Sequence, residues 1–271
     1  MSSVKTAYDK AKAEGRAALV GYLPAGFPTV DGGIDAARAM VEAGCDVIEI
    51  GLPYSDPMMD GPTIQDAVHQ ALVGGVRVAD VFRTVEAVAA TGVPTLVMTY
   101  WNPVDRYGVD AFARDLRSAG GTGLITPDLT PEEGGDWLAA AEAHDLDKVF
   151  LVALSSTDER IEKVTSACRG FVYAASLMGV TGARTAVDTG APRLVERTRA
   201  IIDKQGLDLP VGLGLGVSDG AQAAEVAGFA DGVIVGSAFV RRLLNAPDAA
   251  AGLAGVRALT AELARGVRRE L

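Results

Sequence analysis

Eight short apolar runs, each followed by a helix-patterned segment, occupy nearly the whole chain, and this alternation restricts the fold more than any other feature. The runs are residues 17–23, 47–51, 95–99, 123–126, 148–154, 171–175, 210–215 and 232–235. Strict strand–helix alternation predicts a parallel sheet, because parallel neighbours need a crossover that a helix supplies. Such strands are covered on both faces, which accounts for runs that are apolar almost throughout. Eight strand–helix units in a chain of 271 residues match a closed (β/α)8 TIM barrel, an α/β fold. An open doubly wound sheet is the rival, but it usually carries a glycine fingerprint after its first strand. Here that turn reads Pro24-Ala25-Gly26-Phe27-Pro28, and the glycines from Gly212 to Gly216 lack the fingerprint spacing.

The remaining helical segments are residues 4–14 at the N-terminus and 238–244 and 249–270 at the C-terminus. Thr29 is placed to cap the helix that runs to residue 43, and Pro131 suits the first turn of a helix that runs to His144. No composition shift marks a linker, so residues 1–271 are expected to form a single domain.

Composition narrows the function. Apolar residues make up 49% and charged residues 22%, enough for a large core and unlike a disordered chain. The net charge of −10 disfavours generic binding to nucleic acid or to an anionic membrane. The first residues lack an apolar signal core, and no apolar run approaches the roughly 20 residues that span a bilayer. Two cysteines, Cys45 and Cys168, do not make a disulfide framework, so a cytoplasmic location is expected. Two histidines, His69 and His144, with no Cys/His cluster at ligand spacing, predict no metal site.

In a barrel of this kind the chemistry sits at the C-terminal ends of the strands. The second run holds Glu49, which alternation places on the face opposite Ile48 and Ile50. Two readings of Glu49 stand at this point: a strand-end carboxylate that reaches solvent or an ion pair, and a tuned acid/base at the mouth of a pocket. A second carboxylate, Asp60, lies in the Pro- and Gly-rich loop that follows. Carboxylates in different environments acquire separated pKa values, which suits acid and base roles. Tyr173 shares parity with Phe171 and Ala175; it is either a packed core aromatic or a residue aimed at the same mouth. Asn102 and Asp128, at the ends of the third and fourth strands, either line the pocket or fix their own turns. Three glycine-rich stretches follow the last three strands: Gly179-Val180-Thr181-Gly182, Gly214-Leu215-Gly216-Val217-Ser218 and Gly236-Ser237. Glycines let backbone amides approach a ligand, and Gly236-Ser237 opens a helix whose N-terminus favours anions. A phosphate-bearing substrate is the preferred inference.

The stretch from Glu49 to Gln65, Glu-Ile-Gly-Leu-Pro-Tyr-Ser-Asp-Pro-Met-Met-Asp-Gly-Pro-Thr-Ile-Gln, closely resembles the signature of the tryptophan synthase alpha chain family. Tyr100-Trp101-Asn102-Pro103, Pro127-Asp128-Leu129, Gly179-Val180-Thr181-Gly182 and Gly236-Ser237-Ala238 resemble it too, in order, from about residue 17 to 243. The resemblance implies a (β/α)8 barrel that cleaves indole-3-glycerol phosphate to indole and glyceraldehyde 3-phosphate in the last steps of L-tryptophan biosynthesis. It implies that Glu49 is the general acid/base at indole C3, that Asp60 holds the indole N–H, and that Tyr173 lies beside the bond being broken. It assigns Gly182, Gly216, Gly236 and Ser237 to the phosphate. It implies no cofactor in this chain, with pyridoxal phosphate in a partner beta chain and an alpha2beta2 assembly. The loop of residues 176–188 is expected to close over ligand and to bring Thr181 toward the catalytic region. Docking is expected on the strand C-terminal side, through the loops of residues 53–59, 102–107 and 127–131. The sequence departs from the family at Phe27, Met59, residues 154–157 and residues 176–178, positions that touch pocket walls and the partner-facing surface. Two other readings remain: a different phosphate-binding barrel isomerase, and a stand-by subunit that only activates a partner.

Overall fold

The computed structural model describes residues 3–175 and 190–270. Its strands are β1 (Ala18–Pro24), β2 (Val47–Gly51), β3 (Thr95–Met98), β4 (Gly123–Ile125), β5 (Asp147–Val149), β6 (Leu151–Ala153), β7 (Val172–Ala175), β8 (Val211–Gly214) and β9 (Gly232–Val235). Its helices are α1 (Val4–Ala13), α2 (Val30–Ala43), α3 (Pro62–Val73), α4 (Val78–Ala89), α5 (Trp101–Tyr107), α6 (Val109–Ser118), α7 (Gly135–Ala143), α8 (Asp158–Ala167), α9 (Gly190–Lys204), α10 (Gly220–Val226), α11 (Ser237–Leu244) and α12 (Ala249–Arg268).

All strand pairs are parallel, in the order β5-β4-β3-β2-β1-β9-β8-β7-β6. The outermost members, β5 and β6, are the two halves of one extended segment interrupted at Phe150, so the sheet closes on itself through that segment. This is the expected (β/α)8 barrel, with the fifth strand divided where continuous pairing was anticipated. The division follows from stagger. Strands in a barrel tilt, so the first half of this segment pairs with β4 and the second half with β7.

Two apolar layers result. Ala18, Val20, Val47, Leu96, Ile125, Val149, Phe171 and Ile234 fill the barrel interior. The alternate positions, among them Leu19, Ile48, Ile50, Val97, Leu124, Val172, Leu213 and Val233, face the surrounding helices. The period of two along each strand makes this division. Helix α1 plugs the bottom of the barrel with Val4, Tyr8 and Ala11, and Tyr8 stacks on Phe171 at 5.4 Å. At the same end the Asp46 carboxylate accepts from the two terminal guanidinium nitrogens of Arg16, at 2.6 and 2.8 Å, and from the Leu19 N–H at 2.9 Å.

Local signals govern most helix ends. Thr29 caps α2 as expected, accepting the Gly32 N–H at 3.0 Å. Two ends differ from the sequence reading. Residues 102–107, expected as a loop, belong to α5. Its cap comes from outside the segment: the Asp128 carboxylate accepts the Trp101 N–H at 2.9 and 3.1 Å. Pro103 falls in the first turn, where a missing N–H costs nothing. Helix α7 starts at Gly135 rather than at Pro131, because residues 131–133 form a turn before the Gly134-Gly135 pair. Among the described residues, no helix is long and apolar enough to cross a membrane.

Candidate active site

One cavity opens at the C-terminal ends of the strands, and the described residues bring Glu49, Asp60, Tyr173, Gly216, Gly236 and Ser237 together in its lining. Thr181 and Gly182, with the rest of the loop of residues 176–188, lie outside the described residues. The alternation of β2 turns Glu49 inward with Val47, as parity required. Glu49 is fully buried, and neither carboxyl oxygen has a hydrogen-bond partner among the described residues. An ionised carboxylate without water or a donor is costly, so burial alone pushes its pKa from 4.5 to about 8. It is therefore mainly protonated at neutral pH. The strand-end reading, a carboxylate relieved by solvent or an ion pair, does not describe it.

Asp60 enters from the loop between β2 and α3 and lines the same cavity. Burial raises its pKa to about 6, and a hydrogen bond from the Tyr100 hydroxyl opposes the rise. Tyr100 is itself held in place, accepting the Met59 N–H at 2.9 Å. The two carboxyls thus differ in protonation at pH 7 because one has a partner and partial solvation and the other has neither.

Tyr173 projects inward from β7, and its hydroxyl occupies the space that a Cβ on Gly214 would need. Burial and the nearby Glu49 push its phenol well above the usual range, so it remains a neutral hydroxyl. A second part of the lining is built from backbone. Gly236 is the N-cap of α11, Ser237 is its first residue, and Gly216 turns with a φ of +81° that an L side chain rarely adopts. No lysine or arginine is among the described lining residues, so an anion there would be held by N–H groups, a hydroxyl and the helix dipole.

Other candidates separate. Asp128 caps α5, Asn102 is exposed in that helix, and neither is in the cavity lining. Met59 lines the cavity, whereas Met58 is 84% exposed outside it. Tyr22, Tyr54 and Tyr100 line the cavity without having been singled out from the sequence. For Tyr22 the signal was available: it shares parity with Ala18 and Val20 at the C-terminal end of its strand, the argument that had served for Tyr173. Among the described residues no group of three or more His, Cys, Asp or Glu is placed to hold a metal ion.

Known proteins resemble this chain over its full length. A profile of the tryptophan synthase alpha chain matches residues 8–268. The tryptophan synthase alpha chain of Salinispora arenicola is 66% identical over 268 residues, covering 99% of this chain and 98% of the relative. That of Streptomyces coelicolor is 63% identical over 259 residues, covering 95% and 94%. Among solved structures, Mycobacterium tuberculosis tryptophan synthase superposes with a TM-score of 0.91 at 57% identity, covering 99% of each chain. A mutant alpha-subunit from the hyperthermophile Pyrococcus furiosus superposes with a TM-score of 0.83 at 30% identity, covering 92% of this chain and 98% of that one. With the fold, the motif from Glu49 to Gln65 and the phosphate-type cradle in agreement, the chain belongs to the tryptophan synthase alpha chain family.

Proposed function

We propose that this chain is a single catalytic domain, the alpha chain of a tryptophan synthase, and that it cleaves indole-3-glycerol phosphate to indole and glyceraldehyde 3-phosphate, a carbon–carbon lyase reaction. The observation that carries the reading is a protonated carboxyl, Glu49, with no partner among the described residues, in a cavity that the backbone of Gly216, Gly236 and Ser237 also lines. The reaction is a retro-aldol cleavage. Protonation of indole C3 turns the ring into an electron sink. The bond from C3 to the glycerol chain then breaks, its electron pair restores the indole, and the adjacent hydroxyl loses its proton as the aldehyde forms. Glu49 begins protonated and delivers the proton to C3, then stands as a carboxylate able to receive the hydroxyl proton. Asp60, largely ionised at neutral pH, accepts the indole N–H and stabilises the positive charge that the protonated ring develops. Tyr173, a neutral hydroxyl facing Glu49, lies beside the bond that breaks. Gly216, Gly236 and Ser237 hold the phosphate. Gly182 and Thr181 enter this reading through the resemblance alone.

The reading needs no cofactor from this chain and assigns pyridoxal phosphate to a beta chain in an alpha2beta2 assembly. Docking on the cavity side uses the segment before Asp60, where Met58 is exposed, and α5, whose Tyr107 is 40% exposed. Tyr100 and Asp60 belong to the same two segments, so partner binding and catalysis are coupled, and reciprocally so in affinity. A reducing, cytoplasmic setting accords with two free cysteines. The test is indole release from indole-3-glycerol phosphate, measured alone and with rising beta chain from the same source. Release that accelerates with the beta chain is expected. No release under either condition removes the lyase assignment, and a flat response with no complex by sedimentation removes the partner.

A further inference from the structure

Tyr22 is a cavity residue that the reaction above leaves without a task. It stands in β1 directly across from Glu49 in the strand register, on the inward face. Its ring lies against Gly236, in the anion cradle. Its hydroxyl fills the space that a Cβ on Gly51 would require, two residues mouthward of Glu49 on β2. The side chain therefore runs from the phosphate end of the cavity to the region of the two carboxyls. Burial, with the nearby Asp60 and Glu49, keeps the phenol neutral, and a neutral phenol both donates and accepts.

Of the neighbouring hydroxyls, Tyr100 is engaged, bonding to Asp60 and receiving the Met59 N–H. Tyr173 stands over Gly214 on β7, and the Tyr8 hydroxyl, without a partner among the described residues, lies at the barrel floor away from the mouth. The Tyr22 side chain is half-buried in the cavity wall, and no hydrogen bond ties its hydroxyl to another described residue. Packing against Gly236 requires only a ring, which phenylalanine would supply. A hydroxyl that faces the cavity with no protein partner is open to a ligand group.

On the reading that the substrate is indole-3-glycerol phosphate, the part lying between the phosphate and the indole is the glycerol chain, with its two free hydroxyls. We propose that the Tyr22 hydroxyl hydrogen-bonds a hydroxyl of that chain and thereby selects hydroxylated ligands over deoxy ones. The contact sets specificity; the proton transfers stay with Glu49.

The test compares wild type with Tyr22→Phe on two ligands. One is indole-3-glycerol phosphate, followed by kcat/KM for indole release. The other is its analogue with hydrogen in place of both free glycerol hydroxyls, followed by calorimetric Kd. The expected result is a roughly tenfold loss in kcat/KM with the analogue's Kd within about twofold, the size of one hydrogen bond to a ligand hydroxyl. The unchanged analogue affinity also certifies that the variant is folded. Wild-type kcat/KM in the variant overturns the proposal, as does an equal loss for both ligands, which would assign Tyr22 a role in shape alone. In either case the lyase reading survives, because wild type still releases indole. An inactive wild type removes both.

Discussion

The buried carboxyl of Glu49 gives the stability of this chain a pH dependence opposite to that of most carboxylates. A salt-bridged carboxylate has a depressed pKa and stabilises the fold above it; Glu49 is raised from 4.5 to about 8 by burial. Between those values the folded chain retains a proton that the unfolded chain has lost, so stability falls as pH rises from about 4.5 to 8 and the full penalty is present above that. A rise from 4.5 to about 8, at ~1.4 kcal/mol per pH unit, sets a ceiling of about 5 kcal/mol. Local relaxation and water entry lower the realised value, and about 2–5 kcal/mol is the working range. Glu49→Gln keeps the shape and removes the titration. Its buried amide carries a cost of its own, but a cost independent of pH. The assay is urea unfolding of both proteins from pH 5 to 9. Other titrating groups, including Asp60, occur in both proteins and cancel in the difference. That difference is expected to grow in favour of the glutamine variant by about 2–4 kcal/mol between pH 5 and 9, while turnover falls ~10²–10⁴-fold, the usual contribution of a positioned acid/base. A difference that stays constant across the range refutes the buried, unpartnered carboxyl. Turnover within about threefold of wild type refutes its catalytic role.

Gly236→Asp places a carboxylate at the N-cap of α11, where the proposed function puts the phosphate, and calorimetry should find glycerol 3-phosphate bound roughly 10–100-fold more weakly; unchanged affinity would move the phosphate elsewhere. Tyr100→Phe removes the hydrogen bond that holds the Asp60 pKa down, so the acid limb of kcat/KM assigned to Asp60 should move upward from about 6; a limb that stays still or moves down argues against that assignment. Asp46→Ala leaves Arg16, whose side chain is 4% exposed, with Glu14 as its one charged partner among the described residues. Urea unfolding should show a loss of about 3 kcal/mol, the low end for breaking a buried pair, and a loss below about 1 kcal/mol would class the pair with exposed ones.

The barrel, the face of β2 on which Glu49 lies, and the glycines Gly216 and Gly236 beside the strand ends were legible in the sequence because each rests on a local rule, whereas parity left Tyr173 with two readings. Strand parity has a period of two, crossovers need helices, and helix N-termini bind anions wherever they occur. Asp60 was legible through its motif, since nothing local to a loop says which wall it joins. The tertiary structure alone decided the features whose causes lie far along the chain. Helix α5 forms where a turn was expected because its cap, Asp128, is 27 residues away. The fifth strand divides because its halves answer to different neighbours, β4 and β7, once the tilted sheet closes. Tyr100 acquires a role because Met59 and Asp60, some 40 residues earlier, fold onto its hydroxyl. The pKa of Glu49 is tertiary in the same sense. Residues 47–51 place the carboxyl on a face, but its proton is held by burial, with no partner among the described residues, in a space that other strands line. Composition and periodicity report which groups a chain has and which way they point; what surrounds them, and hence their charge, is set only when distant segments meet.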